Sequence, residues 1–184
     1  PSRLRDARGS EKDGNEAISA SGRIATKLNE HLNASAFVQF TDSETDIDDD
    51  GSTAGFVPVF QNFDSTYKSK RLLASGNISG RFLDGTWRPQ LSLGMTHYNS
   101  RLNDNPDPGG SVYLSNVEYK GRTLQASFNN ALDVHPQHLL TFGASYKRDE
   151  YSSNGARDLG GFVIASVSDA DAEAFAIYAA DHMT

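Results

Sequence analysis

Residues 72–95 read LLASGNISGRFLDGTWRPQLSLGM, two alternating runs joined by a short break, and their reading decides the fold class. Leu72, Ala74, Gly76, Ile78, Gly80 and Phe82 share one phase, and Ser75, Asn77, Ser79 and Arg81 the other. After Leu83-Asp84-Gly85, Trp87, Leu91, Leu93 and Met95 alternate with Arg88, Gln90 and Ser92. A period of two places successive side chains on opposite faces of a strand. A Gly-containing tripeptide between two such runs is a tight turn.

The same period extends outward from this hairpin. Ile18, Ala20, Gly22, Ile24 and Leu28 oppose Ser19, Ser21, Arg23 and Lys27. Along 31–44, Leu32, Ala34, Ala36, Val38 and Phe40 oppose Asn33, Ser35, Gln39 and Thr41. Along 137–151, Leu140, Phe142, Ala144 and Tyr146 oppose Thr141, Gly143, Ser145 and Lys147. A strand over 111–131 changes phase between Tyr119 and Leu124, which suggests a β-bulge at Gly121; a hairpin turning at Lys120–Gly121 is the competing reading. The alanines of 169–184 favour a helix by propensity, while the alternation of connections favours a strand, the preferred reading. Residues 1–16 carry no period and read as a flexible loop or tail.

These strands are long, and soluble strands run about five or six residues. Tight connections at 28–30, 83–85 and 133–137 alternate with long polar ones at 45–67, 102–110 and 152–170. A membrane β-barrel has this asymmetry, with short turns on one rim and long loops on the other. Its lipid face tolerates the interspersed Ala20, Gly22, Ala34, Ala36, Ala74, Gly76 and Gly80, because fluid acyl chains fill gaps. Phe82, Trp87 and Phe128 near the short turns, and Tyr67, Tyr98, Tyr113 and Tyr151 near the long connections, suggest aromatic girdles. The expected fold is all-β: an antiparallel up-and-down meander of about seven long strands over 17–184, part of a transmembrane barrel.

Composition is compatible with that reading. Hydrophobic residues make up 37% of 184 and mean hydropathy is -0.54, far below a spanning helix of about 20 apolar residues. Net charge is -7, which argues against nucleic acid. The absence of cysteine removes disulfides and thiolate metal sites.

The stretch 121–150, with Arg122, Phe128 and Asn129 followed by HLLTFGASYKRDE from His138 to Glu150, resembles a strand–turn–strand of TonB-dependent outer-membrane receptors. AFAIYAADH, from Ala174 to His182, is similar to the following strand, and Leu83-Asp84-Gly85 to the family's short turns. The resemblance implies uptake of a scarce ligand (ferric siderophore, haem or cobalamin class) across a Gram-negative outer membrane. It also implies a plug domain and the TonB complex as partners. No plug segment is recognisable, and seven strands cannot close the family's barrel of about twenty-two. The chain therefore reads as an internal piece whose partners are lipid, the remaining strands, the plug and a small-molecule or metal-chelate ligand.

Local chemistry is sparse. Asp46, Asp48 and Asp50 before Gly51 match the first half of a calcium loop, where alternate carboxylates converge on a hard cation. The twelfth position is Val57 rather than Glu, so a solvated acidic loop is the favoured reading and Ca2+ the alternative. His31, His97, His135, His138 and His182 are scattered, and no nucleophile elbow, P-loop or metalloprotease motif occurs. The chain is not expected to be an enzyme or to require a cofactor. Phe56, Phe60, Phe63 and Tyr67 are candidate loop contacts for a ligand. A soluble exported β-sheet binding module and a smaller structural outer-membrane barrel are the alternatives.

Overall fold

A computed structural model describes residues 2–4, 13–47, 65–104, 115–158 and 162–183. All strands lie in one antiparallel sheet in chain order. They are β1 (Ser2–Leu4), β2 (Asp13–Lys27), β3 (Leu32–Ile47), β4 (Ser65–Gly80), β5 (Trp87–Asp104), β6 (Ser115–His135), β7 (His138–Asp158) and β8 (Val163–Met183). The up-and-down meander of seven long strands is as expected, with a three-residue β1 added. The sheet is open: β1 and β8 each have one neighbour, and both β2 and β8 are exposed along nearly their whole length.

The ladders sort the side chains into two faces. One carries Ile24, Val38, Ala74, Leu93, Leu124, Tyr146 and Phe175; the other carries Ser21, Gln39, Ser75, Ser92, Ser127 and Ser145. The polar face is the more enclosed one. On β3, Ser35, Phe37, Gln39 and Thr41 are half-buried while Ala36, Val38 and Phe40 are exposed. The sheet thus curves around its polar side, which we call inward. No fully buried large side chain exists among the described residues, so no dry core joins the apolar rows.

The apolar face has a fixed height and slope. Outward positions from Leu32 to Phe40, Leu72 to Gly80, Trp87 to Met95 and Leu124 to Leu132 form bands of nine residues. The first charged or titratable outward residue beyond the band is Glu16 on β2, Asp42 on β3, Lys70 on β4, His97 on β5, Arg122 on β6, Arg148 on β7 and Glu173 on β8. Asp42 pairs with Lys70, His97 with Arg122, and Arg148 with Glu173. At the other three steps the border moves by two residues, because Glu16 pairs with Glu44, Lys70 with Asn99, and Arg122 with Glu150. The border therefore climbs one residue per strand on average. With a rise of about 3.3 Å and a spacing of about 4.8 Å, that slope corresponds to a strand tilt of about 35°, within the range of closed barrels. Nine residues at that tilt span about 24 Å, the height of a barrel's lipid-facing band.

Beyond the border the outward face is a lattice of exposed ion pairs: Lys70–Asp42 at 2.9 Å, Lys68–Glu44 at 3.0 Å, Lys120–Glu118 at 3.0 Å and Arg148–Glu150 at 2.9 Å. Each contributes little in water, but together they mark where the apolar surroundings end. Well outside the band, the hydrogen bond from Lys120 holds the Glu118 carboxyl below its ordinary pKa. Glu118 therefore favours the fold at neutral pH and loses that contribution as acid protonates it.

Three expectations are corrected. Residues 152–170 are not a long loop: β7 and β8 stay paired from Ser152↔Asp169 to Asp158↔Val163, and only 159–162 connect them. On β7 both faces are polar there, so alternation disappears while the ladder continues, although β8 keeps Val163, Ala165 and Val167 on its outward face. Gly121 is not a bulge, since β6 keeps register with both neighbours through it. The apparent phase slip arises where the outward face changes from Leu124 to Arg122 and Lys120 while the inward face gains Tyr119 and Val117. The register shift in β6 lies at Asp133–His135. Finally, Asp13–Lys27 is one strand and Ser2–Leu4 pairs with it, so 1–16 is not wholly a loop.

The rim of tight turns is well tied. Phe82 pairs with Trp87, their ring centroids 5.2 Å apart, with His31 5.9 Å from Phe82. Leu83, Asp84 and Gly85 all have positive φ, 54°, 55° and 92°. For Leu83 this left-handed geometry costs about 1–2 kcal/mol. Leu83→Gly should therefore raise stability by about 1 kcal/mol, after the entropy of the added glycine. The urea midpoint of the refolded barrel reads this, and an unchanged or lower midpoint would show that the exposed Leu83 side chain anchors the rim.

Candidate functional site

The inward wall is the surface on which a ligand could act, and its residues follow from parity. Its middle is a floor of hydroxyls and amides: Ser19 and Thr41 lie 3.1 Å apart, and Asn77 donates to Ser92 at 2.8 Å. A trough of about 680 Å³ runs over Ser35, Ser75, Ser92, Gln125 and Ser127, flanked by Arg23 and Lys147. Such a floor offers donors and acceptors beside the apolar surface of Phe37.

Two glycines let aromatic rings lie flat on this wall. A Cβ on Gly121 would run into the ring of Tyr98. One on Gly143 would meet the Phe128 carbonyl oxygen and then Tyr178, whose hydroxyl spans β7 to donate to Asn129 at 2.9 Å. Tyr67, Tyr98, Tyr119, Tyr151 and Tyr178 all point inward; among the described residues only Tyr146 points outward. Tyr67, Tyr98 and Tyr151 therefore do not form an outward girdle, and Tyr113 lies outside the described residues. Trp87 faces outward at the rim, where its indole donates to Asn130 at 3.1 Å. Phe128 sits mid-band opposite Leu91, away from any turn.

Charge is segregated between the faces. The inward strand positions carry Arg23, Lys27, Arg71, Arg88, Lys147 and Arg157 against Asp104, Asp133 and Asp149, a surplus of positive charge in a chain of net -7. Arg88 is held by Asp133 through bonds of 2.7 and 2.9 Å, and Lys147 by Asp149 at 2.7 Å. Arg23, Lys27, Arg71 and Arg157 have no ion pair among the described residues.

The sequence candidates fare unevenly. Asp46 stands on the outward face of β3 opposite Thr66, its carboxylate over Gly14; Asp48, Asp50, Phe56, Phe60 and Phe63 lie outside the described residues. Tyr67 belongs to β4, on the inward wall. His135 and His138 stack edge to face at 5.7 Å, and His138 contacts Asp181 at 2.9 Å. Among the described residues no three His, Asp or Glu converge as a metal site. The sequence reading gave Arg71 no site role and placed the tyrosines on a girdle rather than the inward wall, although Arg71 shares the phase of Ser75 and Asn77.

A polar-lined, apolar-backed meander tilted at about 35° defines a class: the wall of a large β-barrel. Solved structures agree. The ferric yersiniabactin uptake receptor FyuA from Yersinia pestis superposes with TM-score 0.66 at 12% identity, covering 93% of this chain and 27% of that one. The RagAB peptide importer in its open-open state gives TM-score 0.63 at 13% identity, covering 92% and 26%. The chain thus spans about a quarter of the length of each and has the fold of a barrel-wall segment of such uptake proteins. This agrees with the resemblance read from the sequence. No protein-family model and no curated protein matches the sequence.

Proposed function

We propose that the chain is a wall segment of an outer-membrane receptor that takes up a scarce ligand, energised through TonB. The observation carrying this reading is the nine-residue outward band whose border climbs one residue per strand. A soluble module has no reason to hold an exposed apolar belt at constant height across β3 to β6, with a border that keeps its slope over seven strands. A lipid bilayer does. A shallow outward groove over Gly22, Ala36, Ala74 and Gly76, about 900 Å³ between Ile24, Val38 and Leu93, is suited to acyl chains.

In this reading strands outside the sequence cover the free edges of β2 and β8, which would otherwise offer unpaired backbone groups for aggregation. A plug occupies the lumen and contacts TonB. The ligand belongs to the siderophore, haem or cobalamin class, the site is the Gram-negative outer membrane, and no catalytic step is required. The half-loop of Asp46, Asp48 and Asp50 serves as a solvated acidic segment; a calcium-dependent rise in Tm would instead assign it a Ca2+ site.

Expression of the parent gene in a Gram-negative host tests the proposal. The protein should fractionate with the outer membrane, migrate faster unheated than boiled, and support ligand-limited growth only when TonB is present. Recovery as a detergent-independent soluble monomer would falsify it.

A further inference from the structure

The charge carried by the inward wall points to the kind of ligand. We propose that Arg71, with Tyr98, Tyr119 and Tyr151, forms a receiving site for an anionic ligand bearing flat ring surface. Arg71, Tyr98, Gly121 and Tyr151 are successive partners on one ladder row across β4, β5, β6 and β7. The Tyr98 ring covers Gly121, so the row presents aromatic surface between the guanidinium and Tyr151. Tyr119 stands one row nearer the long connections, its ring centroid 6.4 Å from that of Tyr151.

The chemistry of the patch is one-sided. It holds one fixed cation and three phenol donors, and no carboxylate occupies its row: Ser19 and Thr41 continue it on β2 and β3, and Ala170 on β8. Arg71 is exposed and makes no ion pair or hydrogen bond among the described residues. A guanidinium beside phenols recognises carboxylates, sulfonates or phenolates lying against an aromatic plane. Placement adds a direction. Ser75, on the ladder row of Arg23, lies four residues from Arg71 along β4, about 13 Å at strand rise. Arg23 edges the hydroxyl-floored trough, so a second unpaired cation stands deeper along the same wall.

The outward face supplies the contrast. Its acidic side chains outnumber its basic ones, and most of its cations are tied in ion pairs, across strands at Lys68–Glu44, Lys70–Asp42, Arg101–Glu118 and Arg148–Glu173. The wall therefore separates charge by face, as anion-directing pores do with inward Arg and Lys.

This assignment rests on the lumenal reading proposed above. The test uses the complete parent receptor in detergent and in lipid vesicles, with pyranine as probe, a planar aromatic carrying three sulfonates. Fluorescence anisotropy should show saturable, salt-sensitive binding, weakened roughly tenfold by Arg71→Gln, the size expected for one charge-assisted contact. Arg122→Gln removes an unpaired outward cation and should leave binding within twofold, while a cationic pyrene should not bind. Absence of pyranine binding, or equal binding by Arg71→Gln, overturns the site. So does a fall in Tm without loss of binding, which would make Arg71 the partner of an acidic plug surface. Failure of the parent chain to insert into vesicles would instead defeat the barrel reading, before any probe is added.

Discussion

Leu91→Arg in the complete barrel should cost about 2–4 kcal/mol, the penalty for a cation at the middle of a lipid-facing band. Leu91 is the central outward residue of the nine from Trp87 to Met95, with Ile78 and Phe128 as its neighbours on the same face. Its side chain is 37% exposed and packs against no other layer of protein. Gln90→Arg, one residue away, should cost less than about 1 kcal/mol because its side chain faces the aqueous lumen. His97→Arg, just past the border, should be nearly neutral. Urea unfolding from phospholipid vesicles measures all three. Because the border slopes, position along each strand has to be counted from its own border: Ala36 on β3 and Phe128 on β6 are the matching centres. Equal penalties at Leu91 and Gln90 would mean that the two faces share one environment, and the lipid reading would fail.

The sequence disclosed what depends on period and missed what depends on register. Leu72, Ala74, Gly76 and Ile78 against Ser75, Asn77 and Ser79 established β4 and its two faces without coordinates. The tight turns at Leu83–Gly85 and beyond His135 were legible because Gly and polar residues interrupt the runs. Residues 152–170 were misread because alternation reports two unlike environments, and along Ser152–Asp158 polar side chains stand on both faces of β7 while the ladder to β8 continues. The phase slip in β6 has the same origin: Arg122, Lys120 and Glu118 are outward residues that merely look inward by composition. Tyr67, Tyr98 and Tyr151 were assigned by nearness to strand ends, whereas parity relative to Leu72, Leu91 and Leu140 would have placed them inward. The slope of the border could not be read at all. It needs cross-strand register such as Lys70↔Asn99, which no single strand encodes.

Gly121→Val should lower stability by about 1–3 kcal/mol, the usual cost of forcing atoms into occupied space. The sign carries the information. Glycine inside a strand is ordinarily weak, and a β-branched replacement gains up to about 1 kcal/mol in an open, regular strand. The backbone at Gly121 is regular, paired with Tyr98 on one side and Tyr151 on the other, and its φ is not in the left-handed region. Only the Tyr98 ring stands where a side chain would go. Tyr98→Ala in the same chain empties that space, so Gly121→Val should then become neutral or stabilising. The double-mutant cycle isolates the ring-on-glycine contact, because each single change removes it in a different way. Gly143 differs, because a side chain there would meet the Phe128 carbonyl oxygen as well as Tyr178, so removing that ring would not free the space. A stabilising Gly121→Val in the Tyr98 background would mean that the ring does not cover the glycine. The flat aromatic surface beside Arg71 would then be lost with it.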